Sequence, residues 1–212
     1  SSARSSWYTA TTAACTAPRI APVQTRVIPI AQHKEGVLDK ANELLDALKA
    51  AGYRAKIDDS EKSPGWKFSE QEMLGIPVRV ELGPKDIENG QAVLVRRDTR
   101  EKAVVAIDEV PAALAELLET IQQDMYTRAK AFLDGHIDEA ETMDEMVAKF
   151  KDNRGFIKAM WCGDESCEEA IKAETGGAGS RCLIEDEEPI SDRCIYCRKT
   201  GKTQEFFWGK AY

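Results

Sequence analysis

Hydrophobic and polar positions follow two alternating periodicities along the first half of the chain. The apolar run at residues 25–31 has the length of a buried strand, and the apolar residues after it recur at helical spacing until Gly52. Shorter apolar segments follow, separated by Gly, Pro or Asp-rich breaks. This alternation predicts an α/β domain. The helical positions are Val37, Leu38, Ala41, Leu44, Leu45 and Leu48; the later predicted strands cover residues 53–57, 78–82, 92–95 and 103–107, with a helix over 69–74.

The second half of the chain reads as a smaller α/β domain. Pro111 begins a long Ala/Leu/Glu-rich helix, so we place the boundary inside it and predict domains at residues 18–122 and 123–212. Beyond the boundary the pattern predicts the following elements in order: a helix over 137–150, a strand over 155–161, a short helix ending at Ala173, a flexible loop over 175–180 and a strand over 181–184.

Composition and charge narrow the class of protein. The 212 residues suffice for two buried cores, and no apolar run approaches the length that crosses a bilayer. The net charge is −8, with Lys and Arg balanced by Asp and Glu over residues 19–110 and an acidic excess beyond them. Non-specific nucleic-acid binding needs a basic surface, which this chain lacks. We expect no DNA and no membrane partner, and the start of the chain carries no secretory signal, which favours the cytoplasm and reduced thiols.

Four cysteines have the spacing of a structural zinc site. Cys162 and Cys167 form a C-x4-C pair, and Cys194 and Cys197 form a C-x2-C pair. Zn2+ prefers a closed tetrahedron of thiolates, and two short pairs bring four sulfurs together at little cost in loop closure. The alternatives are two redox pairs or four unrelated buried thiols. A catalytic zinc is disfavoured because no histidine follows His136.

The remaining cysteines and the histidines receive no functional role. We predict that Cys182 is a small core residue in a strand, and Cys15 lies in an N-terminal segment of unusual composition. His33 and His136 have no partner motif, so each is expected to be a surface or satisfied buried histidine.

The segment at residues 64–79 combines side chains that can read RNA. It supplies two aromatic rings, two carboxylates and an arginine, and unpaired bases are commonly read by stacking and by hydrogen bonds to their edges. Taken alone, the residues also fit a plainer interpretation, in which the rings are packing residues and Glu72 with Arg79 forms a solvated ion pair. The side chains concerned are Trp66, Phe68, Glu70, Glu72 and Arg79.

Residues 63–97 closely resemble the anticodon-binding domain of prolyl-tRNA synthetases. The end of the chain resembles the zinc-binding C-terminal domain of archaeal/eukaryotic-type members of that family, including the cysteine spacing and the final Trp-Gly-Lys-Ala-Tyr. The resemblance covers about residues 18–212. It implies an α/β fold, with the mixed sheet and flanking helices of a class II synthetase anticodon-binding domain followed by a smaller α/β zinc-binding domain.

The resemblance also implies partners and site residues. It carries the anticodon-contacting roles onto Phe68, Glu72 and Arg79, and more loosely onto Arg97 and Lys102. A glutamate with an arginine suits the donors and acceptors on the two guanines of a proline anticodon. The implied partner is tRNA(Pro), and the implied cofactor is structural Zn2+ on the cysteine quartet.

The same resemblance suggests what belongs to an intact enzyme. That enzyme would activate proline with ATP and Mg2+ as a homodimer, and Tyr212 would support its active site. The motifs of the class II catalytic core are not found in the chain, so we expect a fragment that is inactive alone and monomeric.

Residues 1–17 do not match the family. We hypothesise a shifted reading frame: one codon set compatible with these residues reads in the adjacent frame as the family's Ile-Gly-Ala-Leu-Ile-Met-Val-His-Gly-Asp-Asp. Their Ser/Thr/Ala composition then predicts disorder. The nucleotide sequence of the gene tests this hypothesis, which is wrong if the adjacent frame encodes something else.

Two other functions fit parts of the sequence. A free-standing paralogue would bind tRNA or a protein for regulation without catalysis, and an intact upstream gene for the catalytic core argues against it. A redox or hydrolytic site at the cysteines would show thiol reactivity that zinc does not quench.

Overall fold

The computed structural model describes residues 15–152, 155–185 and 188–211. The chain divides into two compact units between Thr127 and Arg128, inside the same long helix in which we placed the boundary at 122. Most of the segment predicted to be disordered lies outside the described residues. At its end, the backbone N–H of Thr16 donates to the carbonyl of Gly75 at 2.8 Å, so the described part of that segment is tied to the first unit.

The first unit is built on a mixed five-stranded sheet. The strand order is β2-β1-β3-β4-β5, with β1, β2 and β3 parallel and β4 and β5 antiparallel to their neighbours. This confirms the predicted α/β class. The elements are β1 (Thr25–Pro29), α1 (Val37–Ala50), β2 (Ala55–Ile57), α2 (Pro64–Met73), β3 (Val78–Leu82), α3 (Pro84–Glu88), β4 (Gln91–Arg96), β5 (Lys102–Ala106), a 3-10 turn (Ile107–Glu109) and α4 (Val110–Asp134).

The central strand β3 is buried along its whole length, which makes its two faces different in kind. Every second residue of a strand shares a face. Val78, Val80 and Leu82 pack on one face against apolar residues of α1 and α4. The other face carries Arg79 and Glu81, both buried. A buried charged pair on the face away from the core marks the surface on which the candidate site is built.

Helix α2 begins five residues before the predicted helix at 69–74. Pro64 occupies its first turn, where the missing N–H costs nothing and the fixed φ favours a helical start. The earlier start places Phe68 and Glu72 four residues apart on one helical face. Lys67 and Gln71 are the buried residues of this helix.

The second unit contains a four-stranded sheet with the order β6-β7-β9-β8. Trp208 is fully buried in its core, and its indole N–H donates to the carbonyl of Ala159 at 3.3 Å. This second core makes the unit compact in its own right. Its elements are β6 (Ile137–Glu139), α5 (Met143–Asp152), β7 (Phe156–Trp161), α6 (Glu165–Thr175), β8 (Ala178–Leu183) and β9 (Gln204–Lys210).

Two predictions for the second unit are wrong. The helix predicted over 137–150 begins only at Met143, because residues 137–139 form β6 and pair in parallel with β7. The loop predicted over 175–180 is limited to a turn at Gly176 and Gly177, and Ala178 already belongs to β8. In both places pairing with a distant strand overrides the local pattern.

Within the described residues, no helix has both the length and the apolarity that a membrane crossing requires.

Candidate nucleic-acid interface and metal centre

Arg79 is the centre of a cluster of charged side chains on the outer face of β3. Its Nε donates to Glu81 Oε1 at 2.7 Å, and one terminal nitrogen donates to Glu72 Oε1 at 3.0 Å. Its guanidinium carbon lies 4.3 Å from the centre of the Phe68 ring. Arg79 therefore pairs with two carboxylates and stacks on an aromatic ring at once, which a planar guanidinium can do and an ammonium cannot.

Strand and helix periodicity explain why these four residues meet. Arg79 and Glu81 are two positions apart on β3, so they share the face that α2 covers. Phe68 and Glu72 are four positions apart on α2, so they share the face that points at the strand.

Three further cations lie beside Glu72 and Glu81. Arg97 is buried, and its Nε donates to the backbone carbonyl of Glu72 at 3.0 Å. The exposed Arg100 lies 3.7 Å from Glu72 Oε2, and the exposed Lys102 lies 3.6 Å from Glu81 Oε2. The structure thus brings all five predicted contact residues into one cluster, which we call the Arg79 cluster and define as Phe68, Glu72, Arg79, Glu81, Arg97, Arg100 and Lys102.

Sequence reasoning missed two members of the Arg79 cluster. Glu81 could have been found, since its spacing from Arg79 puts both on one strand face. Arg100 lies in the turn between β4 and β5 with a φ of 64°, and no sequence signal pointed to it.

The members of the Arg79 cluster differ in solvent exposure, and therefore in whether they can contact a ligand. The side chains of Arg79 and Glu81 are 10% and 8% exposed, so the interpretation of Arg79 and Glu72 as a solvated pair is wrong. Buried ions need partners, and this pair has them. The side chain of Glu72 is 27% exposed, while those of Arg100 and Lys102 are 69% and 58% exposed. At its solvent-exposed rim the Arg79 cluster therefore presents one acceptor, the Glu72 carboxylate, and two donors, Arg100 and Lys102. Arg79 and Glu81 form its buried part.

Trp66 differs from Phe68 although both are close in sequence. Its ring is 45% exposed, and the Lys62 ammonium lies 3.1 Å from its centre. Phe68 is half-buried under Arg79. Both rings are thus partly buried, as the plainer interpretation also expects, but only Phe68 contacts the Arg79 cluster.

The cysteine quartet converges in the second unit. Cys162 follows β7, Cys167 lies in the first turn of α6, and Cys194 and Cys197 lie in a turn that precedes β9. The four sulfurs lie within 4.8 Å of one another. Cys162 Sγ is 3.7 Å from Cys167 Sγ and 3.8 Å from Cys197 Sγ. Sulfurs about 2.3 Å from a zinc ion are about 3.8 Å apart in a tetrahedron, so the arrangement fits Zn2+.

Backbone hydrogen bonds hold the two pairs in place. The N–H of Cys167 donates to the carbonyl of Asp164, and the N–H of Cys194 donates to the carbonyl of Lys199, each at 3.0 Å. The N–H of Ile195 donates to Met160 at 2.9 Å, which attaches the C-x2-C turn to β7. A metal bound to these four thiolates would cross-link β7, α6 and the C-x2-C turn, which is a structural role and not a catalytic one.

The thiols of the quartet are not equivalent. Burial raises the pKa of Cys167 to about 12, while the backbone N–H of Lys199 lowers the pKa of Cys197 to about 7.

The other singled-out residues stay outside both sites. Cys182 is exposed on β8, so its prediction as a core residue is wrong. No disulfide joins the six cysteines, all of which lie in the described part of the chain. His136 donates from Nδ1 to the backbone carbonyl of Phe132 at 2.7 Å, a local contact at the end of α4. Tyr212 lies outside the described residues.

Comparison with known families assigns both units. Residues 24–117 match the family model for the anticodon binding domain, and residues 143–212 match the model for the C-terminal domain of prolyl-tRNA synthetase. The chain corresponds to the C-terminal region of the prolyl-tRNA synthetase family.

Curated relatives agree along almost the whole chain. A proline–tRNA ligase of Lachnospira eligens is 57% identical over 195 residues, and one of Lachnoclostridium phytofermentans is 55% identical over the same length. A proline–tRNA ligase of Clostridium botulinum is 52% identical. Each alignment covers 92% of this chain and 40% of the relative, so the chain spans well under half the length of the relatives it matches. These relatives are bacterial, and the archaeal/eukaryotic subtype stays a prediction.

Proposed function

We propose that this chain recognises the anticodon of tRNA(Pro) as the C-terminal part of a proline–tRNA ligase. The observation that carries the proposal is the Arg79 cluster, in which every residue predicted to contact the anticodon lies around one buried arginine. Its rim offers the Glu72 carboxylate to the N–H donors of a guanine edge, and Arg100 and Lys102 to guanine acceptors or phosphates. The free-standing regulatory paralogue has no comparable support.

The remaining parts of the proposal concern the intact enzyme. It would activate proline with ATP and Mg2+ in the cytoplasm, with a catalytic core supplied by the longer protein and a homodimeric assembly. The quartet of Cys162, Cys167, Cys194 and Cys197 would hold one structural Zn2+, for which its sulfur spacing is suited. The quartet and the C-terminal domain support the archaeal/eukaryotic subtype.

A binding experiment tests recognition. The purified chain is titrated with a tRNA(Pro) anticodon stem-loop and with one in which both anticodon guanines are replaced, at near-physiological salt. We expect preference for the guanines. Glu72→Ala should weaken binding to the guanine stem-loop by about 1 to 3 kcal/mol, because a base-edge contact is lost.

A matched variant controls for charge. Glu43→Ala removes an exposed carboxylate of α1, which contacts Lys40 and lies outside the Arg79 cluster. It should bind like the unmodified chain. Equal binding of both stem-loops, or equal affinity of Glu72→Ala and Glu43→Ala for the guanine stem-loop, contradicts the proposal.

A further inference from the structure

A cavity of about 640 Å³ opens at the carboxyl end of β1, apart from the side chains of the Arg79 cluster. Its walls come from the end of β1 and the residues that follow it, the first turn of α1, and the start of α2 with the residues that precede it. Apolar groups of Pro29, Ile30, Leu38 and Pro64 line it together with the polar side chains of Gln32 and Ser63. A mostly apolar pocket of this size with a few polar groups is the usual form of a ligand site.

The sheet topology places this cavity where a ligand is expected. The connection from β1 through α1 leads to β2 on one side, and the connection from β2 through α2 leads to β3 on the other side of β1. The strand order therefore diverges at the carboxyl end of β1. In open α/β sheets, ligands bind in the crevice outside the carboxyl ends of strands at such a point.

A buried cation lines the cavity. Lys67 is 2% exposed, and its ammonium donates to Gln32 Oε1 at 2.8 Å and to the carbonyl of Asp58 at 2.9 Å. Burial lowers the pKa of Lys67, because a charged ammonium is less stable in this buried position than in water. Lys62, also in the wall, adds an exposed ammonium at the rim.

The cavity and the Arg79 cluster share one helix. Lys67 faces the cavity and Phe68, the next residue, lies under Arg79. From Pro64 to Glu72 the helix rises only about 12 Å. An RNA loop bound at the cluster therefore has further unpaired nucleotides within reach of the cavity.

We infer that this cavity binds one unpaired nucleotide of the RNA loop whose other bases contact the Arg79 cluster. The apolar walls suit the faces of a base, the amide and hydroxyl groups suit its edge, and the ammonium of Lys62 suits its phosphate. The inference rests on the proposed function, because it takes the RNA bound at the cluster as the source of the nucleotide.

Two cavity-filling variants test the inference. Ser63→Trp and Leu38→Trp add an indole from two different segments of the wall, at a serine whose side chain does not cap α2 and at a half-buried leucine outside the core. Each should weaken binding of the tRNA(Pro) anticodon stem-loop about tenfold, the loss expected for one stacked base. The guanine-substituted stem-loop should weaken by the same factor, since the cluster itself is unchanged.

The control variant introduces the same residue, tryptophan, at a position of α2 outside the cavity. Ser69→Trp places an indole on the exposed side of α2, away from the cavity lining, and should bind like the unmodified chain. Circular dichroism checks that each variant is folded. In addition, 4-thiouridine placed along the loop should crosslink from one position to the peptide that contains Gln32 and His33.

The outcomes separate this inference from the proposed function. If both cavity variants bind like Ser69→Trp and no crosslink reaches the cavity peptide, the inference is wrong while guanine preference can stand. If the unmodified chain shows no guanine preference, the proposed function fails first, and the inference fails with it.

Discussion

Arg79 contributes to stability and, under the proposed function, to recognition. Its guanidinium is buried against the Phe68 ring and pairs with Glu81 on the same strand and Glu72 on α2. Removing one partner of a buried ion pair leaves an uncompensated charge. The interior of the Arg79 cluster should therefore be sensitive to changes that keep the charge but alter the geometry.

Arg79→Lys tests this sensitivity. A lysine keeps the positive charge but cannot donate to both carboxylates in a fixed fork, nor stack flat on Phe68. We expect the free energy of unfolding of the first unit to fall by about 2 kcal/mol, the contribution of one hydrogen bond to a charged group. Urea denaturation followed by tryptophan fluorescence measures the change.

Arg100→Lys is the matched control. Arg100 contacts the same glutamate from a solvent-exposed position, so its replacement should change stability by less than about 0.5 kcal/mol. Equal effects of the two substitutions would mean that burial of Arg79 does not determine its contribution.

At the scale of elements, the first unit follows its sequence more closely than the second. β3 occupies residues 78–82 as predicted, and α1 covers every predicted helical position, because a strong hydrophobic pattern agrees with the tertiary contacts. β6 and the start of β8 could not be predicted, since each is a strand only through its partner in the sheet. Cys182 was misplaced for the same reason: the face it takes depends on a register shift between β8 and β9.

The candidate sites also differ in how much of each could be predicted from the sequence. The cysteine quartet could be predicted from spacing alone, because two short pairs constrain their own geometry. The Arg79 cluster needed the fold, since its members come from α2, β3, the turn after β4, and β5. The cavity at the end of β1 had no sequence signal at all, because its walls come from segments joined only by the sheet topology.

The contact between β6 and β7 depends on one glycine. The N–H of Phe156 donates to the carbonyl of His136 at 2.8 Å, and a Cβ on Gly155 would lie 1.7 Å from that same carbonyl oxygen. Backbone atoms cannot rotate away. We expect Gly155→Ala to destabilise the second unit by about 3 kcal/mol, the upper end of the usual cost of overpacking, measured by thermal denaturation.

Gly179→Ala provides the comparison in the same unit. A Cβ there would meet only Glu168 Oε1 at 3.8 Å, an ordinary contact. A similar loss of stability in both variants would show that the close approach of the β6 and β7 ends does not limit the fold.

We expect the stability of the second unit to depend on zinc bound at the C-x2-C turn. Cys194 is fully buried and its turn is attached to β7 through Ile195, so we expect Cys194→Ser to reduce bound zinc from about one ion per chain to nearly none and to lower the melting temperature of the second unit. Atomic absorption and calorimetry measure the two quantities. Cys182→Ser changes an exposed thiol outside the quartet and should leave both unchanged. Loss of zinc in both variants would argue against the quartet as the site.

At the scale of the whole molecule, the two units have separate hydrophobic cores and differ in net charge. Each unit has its own set of buried apolar residues. The first unit has nearly balanced charge, and the acidic excess lies in the second half of the chain. Under the proposed function, RNA affinity therefore cannot come from a general positive surface and must come from a few defined contacts.

The salt dependence of RNA binding tests that conclusion. Each phosphate contact to single-stranded RNA contributes about 0.7 to the slope of log K against log salt concentration. The exposed cations at the rim of the Arg79 cluster and the cavity are Arg100, Lys102 and Lys62, so we expect a shallow slope of about −2. Lys102→Ala should reduce its magnitude by about 0.7, whereas Lys130→Ala, on an exposed helical position paired with Asp134, should leave it unchanged. A slope steeper than about −5 would mean that phosphate neutralisation by many cations, rather than base contacts at the cluster, supplies most of the affinity.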